Sequence, residues 1–124
     1  MLTIQCITID CQDPIALATF WAQVLDWKIG EGATHDEAYI EKSPDSSRGE
    51  NYPDLLFIRT PDTKKSKNRI HLDLRPKNQL TEVERLVKIG AKRIEIGQSV
   101  DPDTTWIVMA DPEGNEFCVL KPLD

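Results

Sequence analysis

No stretch of the 124 residues approaches the ~20 consecutive apolar residues of a membrane-spanning helix, so no membrane partner is expected. Cysteine is scarce. Cys6, Cys11 and Cys118 are odd in number and widely spaced, which argues against a disulfide framework and for a reducing, cytoplasmic setting. Positive charge is in deficit: 15 Lys and Arg stand against 21 Asp and Glu, a net charge of −6. A protein that tracks nucleic-acid phosphates would instead concentrate basic residues on one face. The one basic cluster, Lys64, Lys65, Lys67 and Arg69, reads as a solvated loop. The N-terminal MLTIQCITIDCQDP has neither a basic segment nor a long apolar run, so no signal peptide is expected.

What is present is the 40% apolar, 29% charged composition of a globular chain, at a length suited to one domain. Residues 3–10 alternate and are β-branched, which predicts a strand. Asp13 is a helix N-cap followed by Pro14 at the first helical position. Leu17, Phe20, Trp21, Val24 and Leu25 then recur at helical spacing, to about Leu25. Three short strands are expected at 27–30, 37–42 and 55–60, with the turn-rich SPDSSRGENYPD as a loop between the last two. The pattern then restarts. RIHLDLR (69–75) alternates strictly, Asn78 caps a helix with an apolar stripe of Leu80, Val83, Leu86 and Val87, and Gly90 ends it. Strands follow at 92–96, 105–110 and 116–121, the last two joined by the tight turn Asp111-Pro112-Glu113-Gly114.

Each half therefore reads strand, helix, strand, strand, strand. The expected architecture is α+β: one domain over 1–124 made of two tandem βαβββ modules, about 1–62 and 67–124. Their curved mixed sheets would enclose a cup, with helices outside. Alternation assigns faces. Ile70, Leu72 and Leu74 are expected under the second helix, leaving His71 and Asp73 toward the cup. Cys6, Thr8 and Asp10 are expected inward from the first strand, Leu55, Phe57 and Arg59 from 55–60, and Glu116, Cys118 and Leu120 from the last strand. Such a wall would be a polar-lined ligand pocket. Alternatively its charged groups pair with one another at strand ends, as Arg59 with Asp73. Trp106 is expected either to line the cup as an aromatic wall or to pack in the core.

Three stretches carry a family resemblance: the first strand running into DPIALATFWAQVLDWK, then KNRIHLDL, then ADPEGNEFCVL. Together they resemble the vicinal oxygen chelate superfamily of glyoxalase I, bleomycin-resistance proteins and extradiol dioxygenases, and within it a glyoxalase-like domain branch. The resemblance implies a divalent metal held by His or Glu from four inward strand positions, polarising two adjacent substrate oxygens. It carries those positions onto Cys6, the vicinity of Phe57, His71 and Cys118. Only His71 keeps the family's residue type. Cys6 and Cys118 are either thiolate ligands in a soft set with His71 or small buried apolar residues. Glu116 lies one strand step from Cys118 and is an alternative ligand or base.

The leading expectation is a glyoxalase-like protein that binds a small organic molecule in a polar cup, with a degenerate metal site and no metal. Its candidate site comprises Thr8, Asp10, Phe57, Arg59 and Trp106 for binding, with His71, Asp73 and Glu116 as candidate catalytic groups. The alternative is a divalent-metal-dependent lyase, isomerase or dioxygenase centred on His71. There Asp73 or Glu116 would be the base, Arg59 would stabilise an oxyanion, and Cys6, Cys118 or Glu116 would be further ligands. Two other readings are a metal-free enzyme in which His71 and Glu116 move protons, and a partner module whose cup is filled by Phe57 and Trp106. By resemblance the chain is expected to form a homodimer.

Overall fold

A computed structural model describes residues 1–42, 52–94 and 105–123. Most of the expected loop at 43–54 and the end of the expected strand at 92–96 lie outside the described residues. The chain divides into two compact units, Met1–Thr63 and Lys64–Asp124. Each runs strand, helix, strand, strand, strand.

In the first unit, β1 (Cys6–Cys11) leads into α1 (Pro14–Leu25), then β2 (Lys28–Ile29), β3 (Glu37–Glu41) and β4 (Asp54–Arg59). The Asp13 carboxylate accepts the Ala16 N–H at 3.1 Å, satisfying one of the free donors that open α1. The helix buries Leu17, Ala18, Phe20, Trp21 and Ala22, with Phe20 and Trp21 edge to face at 5.5 Å. The sheet runs β1-β4-β3-β2, with β1 parallel to β4 and the other pairs antiparallel. Ala38, Ile40, Leu55 and Phe57 are buried on the face that α1 covers. Each large apolar side chain so removed from water contributes about 1.5–3 kcal/mol.

This pairing reverses the expected faces of β4. Ile9 lies beside Phe57 and Ile7 beside Leu55 in the parallel register, so all four share the helix face. Phe57 is fully buried there and is core, not pocket wall. Arg59 pairs with Cys11 on that same face at the strand's exposed end. The opposite face of this sheet carries Thr8, Asp10, Tyr39, Leu56 and Ile58.

In the second unit, β5 (Asp73–Leu74) precedes α2 (Gln79–Lys88), β6 (Lys92–Arg93), β7 (Ile107–Ala110) and β8 (Glu116–Val119), in sheet order β5-β8-β7-β6. The Asn78 side chain caps α2 by accepting the Thr81 N–H at 3.0 Å, and Gly90, at φ +119°, follows its end. Only Val83 and Leu86 of the expected stripe are buried, while Leu80 and Val87 are exposed. At ~100° per residue these two lie roughly 70–90° round the helix from the Val83–Leu86 centre.

The expected strand at 69–75 shrinks to two residues, for a reason visible in the register. Asp73 sits beside Cys118 in parallel pairing, which sets residues 69–70 opposite the turn before β8, where no ladder exists. Ile70 accordingly is 79% exposed instead of packing beneath α2. Asp111, only 3% exposed, organises that turn. Its carboxylate accepts the backbone N–H groups of Glu113 and Asn115 and the Asn115 side-chain amide.

Candidate functional site

The strand pairing of the second unit builds a hollow on one face of its sheet. Phe117 and Val119 are buried on one side of β8, which leaves Glu116, Cys118 and Leu120 on the other. Val108 pairs with Cys118 across β7 and Asp73 pairs with Cys118 across β5, so both fall on that same side. Lys67, His71, Asp73, Trp106, Val108, Glu116, Cys118 and Leu120 line a cavity of about 350 Å³. The alternation read from the sequence for His71, Asp73, Glu116 and Cys118 is thus the arrangement found. Trp106, 39% exposed, is a wall of the hollow. Lys67, which sequence reading assigned to a solvated loop, is on the wall as well.

The charges here are arranged in pairs. Glu116 Oε1 accepts from Lys64 Nζ at 2.8 Å, and its Oε2 accepts the Asn68 N–H at 3.0 Å. Burial works against the charged carboxylate. The Lys64 ammonium and the backbone N–H groups of Asn68 and of Glu116 itself outweigh it, so the pKa lies below the usual 4.5. A carboxylate with both oxygens engaged and a lowered pKa is a poor proton acceptor. His71 Nε2 stands 3.3 Å from Asp73 Oδ1, both exposed to the hollow. Burial, the Asp73 charge and a hydrogen bond to Asp73 raise the Cys118 thiol above 9.0, while Lys67 pulls it the other way. Cys118 is therefore a neutral thiol at physiological pH.

His71, Asp73 and Cys118 each place one donor atom within 4.8 Å of the others. Glu116 is not in this group. Of the four positions that resemblance maps to metal ligands, His71 and Cys118 are in the second unit, while Cys6 is half-buried on β1 of the first. Phe57 has no donor atom and is sealed under α1. The family's four-donor set does not fit this chain. Thr8 and Asp10 are exposed on the face of the first sheet opposite α1, and Arg59 ends β4 in the same unit.

Residues 6–120 match the glyoxalase-like domain family. The chain belongs to that family. Solved structures agree in fold. A glyoxalase-related enzyme from Fulvimarina pelagi aligns at TM-score 0.67 and 16% identity, covering 98% of this chain and 88% of that one. A glyoxalase/bleomycin resistance protein/dioxygenase family enzyme from Burkholderia phytofirmans aligns at 0.62 and 19%, covering 96% and 98%. A mutant fosfomycin resistance protein from Listeria monocytogenes, complexed with Mn(II) and a dihydroxypropylphosphonic acid, aligns at 0.68 and 12%, covering 99% and 92%. No curated protein matches. At these identities the neighbours establish the α+β fold, in which the described residues form two helices and two four-stranded mixed sheets, not a shared reaction. None of the described helices is long and apolar enough to cross a membrane.

Proposed function

We propose that this glyoxalase-like domain binds a small organic molecule in the His71 hollow without the family's four-donor metal centre. One observation carries the reading. His71, Asp73, Cys118 and Trp106 converge on a single 350 Å³ cavity with apolar Val108 and Leu120 walls. Ligand sites have this make-up: mostly apolar surface with a few placed polar groups. In this reading His71 and Asp73 orient the ligand and are the groups placed to move a proton, while Glu116 holds the wall in position through Lys64 and Asn68. The test is a fragment screen by ligand-observed NMR on wild type and on Val108→Trp, which fills the hollow. Hits lost in the variant support the reading. Hits that persist unchanged overturn it.

A second reading is favoured by the 4.8 Å grouping of His71, Asp73 and Cys118. Here the protein is a metal-dependent enzyme centred on His71, and those three groups would hold a divalent ion that acts as a Lewis acid. Equilibrium dialysis against zinc and manganese separates the readings. One ion per chain, lost in His71→Ala, supports the metal reading and contradicts the first; metal content unchanged by that substitution removes it. Homodimerisation rests on the family's habit of pairing and is read by sedimentation. A cytoplasmic location rests on the three free cysteines.

A further inference from the structure

The ionised groups of the hollow are not evenly satisfied. Glu116 is neutralised by Lys64 and by the Asn68 N–H. Asp73 has His71 Nε2 at 3.3 Å and lies close to the Cys118 sulfur. Lys67 is different. It lines the same cavity, yet among the described residues it makes neither an ion pair nor a hydrogen bond. Its charge nevertheless reaches the Cys118 sulfur. Among the lining groups it is thus a cation without a carboxylate of its own.

The apolar part of the hollow is equally specific. The Trp106 indole is 39% exposed although it sits in a concave wall, beside Val108 and Leu120. An aromatic face held open against apolar neighbours gains most from a planar ring laid on it, by offset stacking worth about 0.5–1.5 kcal/mol beyond burial. A cationic ligand would meet the Lys67 ammonium and find Glu116 already engaged by Lys64 and the Asn68 N–H. A neutral ligand would offer the exposed Lys67 ammonium no counter-charge.

We infer that the second unit's hollow selects a small planar organic anion, an aromatic or conjugated carboxylate, with its ring on Trp106 and its carboxylate on the Lys67 ammonium. The inference rests on the pocket-binding reading and adds the charge and shape of what binds. Lys67 acts as a point charge on a flexible stem, so it fixes the sign of the ligand more than its geometry.

The experiment uses EDTA-treated full-length protein, so that no bound metal supplies the anion's contact. Benzoate, benzyl alcohol, benzylamine and cyclohexanecarboxylate are titrated by calorimetry. Benzoate is expected to bind about tenfold more tightly than the alcohol, the amine or the saturated ring acid. Lys67→Met should cut benzoate affinity about tenfold and leave benzyl alcohol nearly unchanged, while Lys67→Arg keeps the preference for the anion. Trp106→Leu should remove the advantage of benzoate over cyclohexanecarboxylate. Equal affinity for benzoate and benzyl alcohol, benzoate binding indifferent to Lys67→Met, or no benzoate binding overturns the inference. If benzyl alcohol or benzylamine still binds and is lost in Val108→Trp, the pocket-binding reading survives that failure. Benzoate binding that appears only when zinc is restored would move the anion's contact from Lys67 to a metal and overturn the assignment.

Discussion

Lys64 Nζ meets Glu116 Oε1 at 2.8 Å across 52 residues of sequence, and the Asn68 N–H closes on the other oxygen at 3.0 Å. This latch ties residues 64–68 to the first residue of β8. It thereby sets Lys67 on the rim of the hollow and holds Glu116 out of proton chemistry. The Glu116 carboxyl is half of a pair whose charged state the fold favours, so its folded pKa lies below 4.5. Its stabilisation is complete above the ordinary carboxylate value and is lost as pH falls through the folded value. Denaturation across pH 7 to pH 3 should show wild type losing more stability than Glu116→Gln below about pH 4.5. At neutral pH, Lys64→Met should cost about 1 kcal/mol. Parallel pH profiles for wild type and Glu116→Gln would show that the pair does not stabilise the fold.

Tyr39 and Gly30 make a second prediction. The Tyr39 ring occupies the space that a Cβ at Gly30 would fill. The Gly30 N–H meanwhile donates to the Tyr39 carbonyl at 2.9 Å, so the backbone cannot back away freely. Gly30→Ala is expected to destabilise by about 1–3 kcal/mol through overpacking. In the Tyr39→Ala background the same change should cost less than 1 kcal/mol, roughly, because its obstacle is gone. Urea denaturation of the four proteins in this cycle reads the difference, and strict additivity would contradict the account.

Asp111 is the buried anchor of the turn before β8. Its carboxylate accepts the Glu113 and Asn115 N–H groups and the Asn115 amide, and an alanine there strands these donors in a site only 3% exposed. Asp111→Ala should lose about 2–3 kcal/mol. It should also disturb the start of β8, which heteronuclear NMR would register as shifts at Glu116. An Asp111→Ala protein as stable as wild type would mean that the turn is held by other contacts.

Cys118 carries a prediction about reactivity. A thiol that is buried and faces the Asp73 carboxylate forms its thiolate at higher pH than a free thiol does. Iodoacetamide should therefore modify Cys6 well before Cys118 at neutral pH, read by mass spectrometry of peptides. Asp73→Asn removes the opposing charge and should speed Cys118 modification at a fixed pH. Equal rates for Cys6 and Cys118 in wild type would count against the neutral-thiol assignment.

Much of this site was legible in the sequence because β8 and the HLDL segment alternate cleanly. Phe117 and Val119 belong on the core side of β8, away from the cup, so Glu116 and Cys118 must face the hollow, and the same logic places His71 and Asp73. The helix starts were equally plain, since Asp13-Pro14 and Asn78 supply capping chemistry that few other positions could. β4 was not legible. Leu55, Leu56, Phe57 and Ile58 are all apolar, so alternation gives no face. Only the parallel register with β1, which sets Phe57 beside Ile9, decides it. Ile70 misled for a related reason: its residue pattern is that of a strand, but the partner strand has not yet begun opposite it. Lys67 was lost in a run of lysines, and nothing local distinguishes the one that lines a cavity from those that meet water.

The central claim is that the His71 hollow is where a small molecule binds. The most direct measurement is NMR of the His71 imidazole and Trp106 indole resonances during titration with a screened fragment, assigned through His71→Asn and Trp106→Phe variants. The account predicts that both resonances shift together and saturate with one midpoint. Saturable binding that leaves His71 and Trp106 unmoved would contradict it.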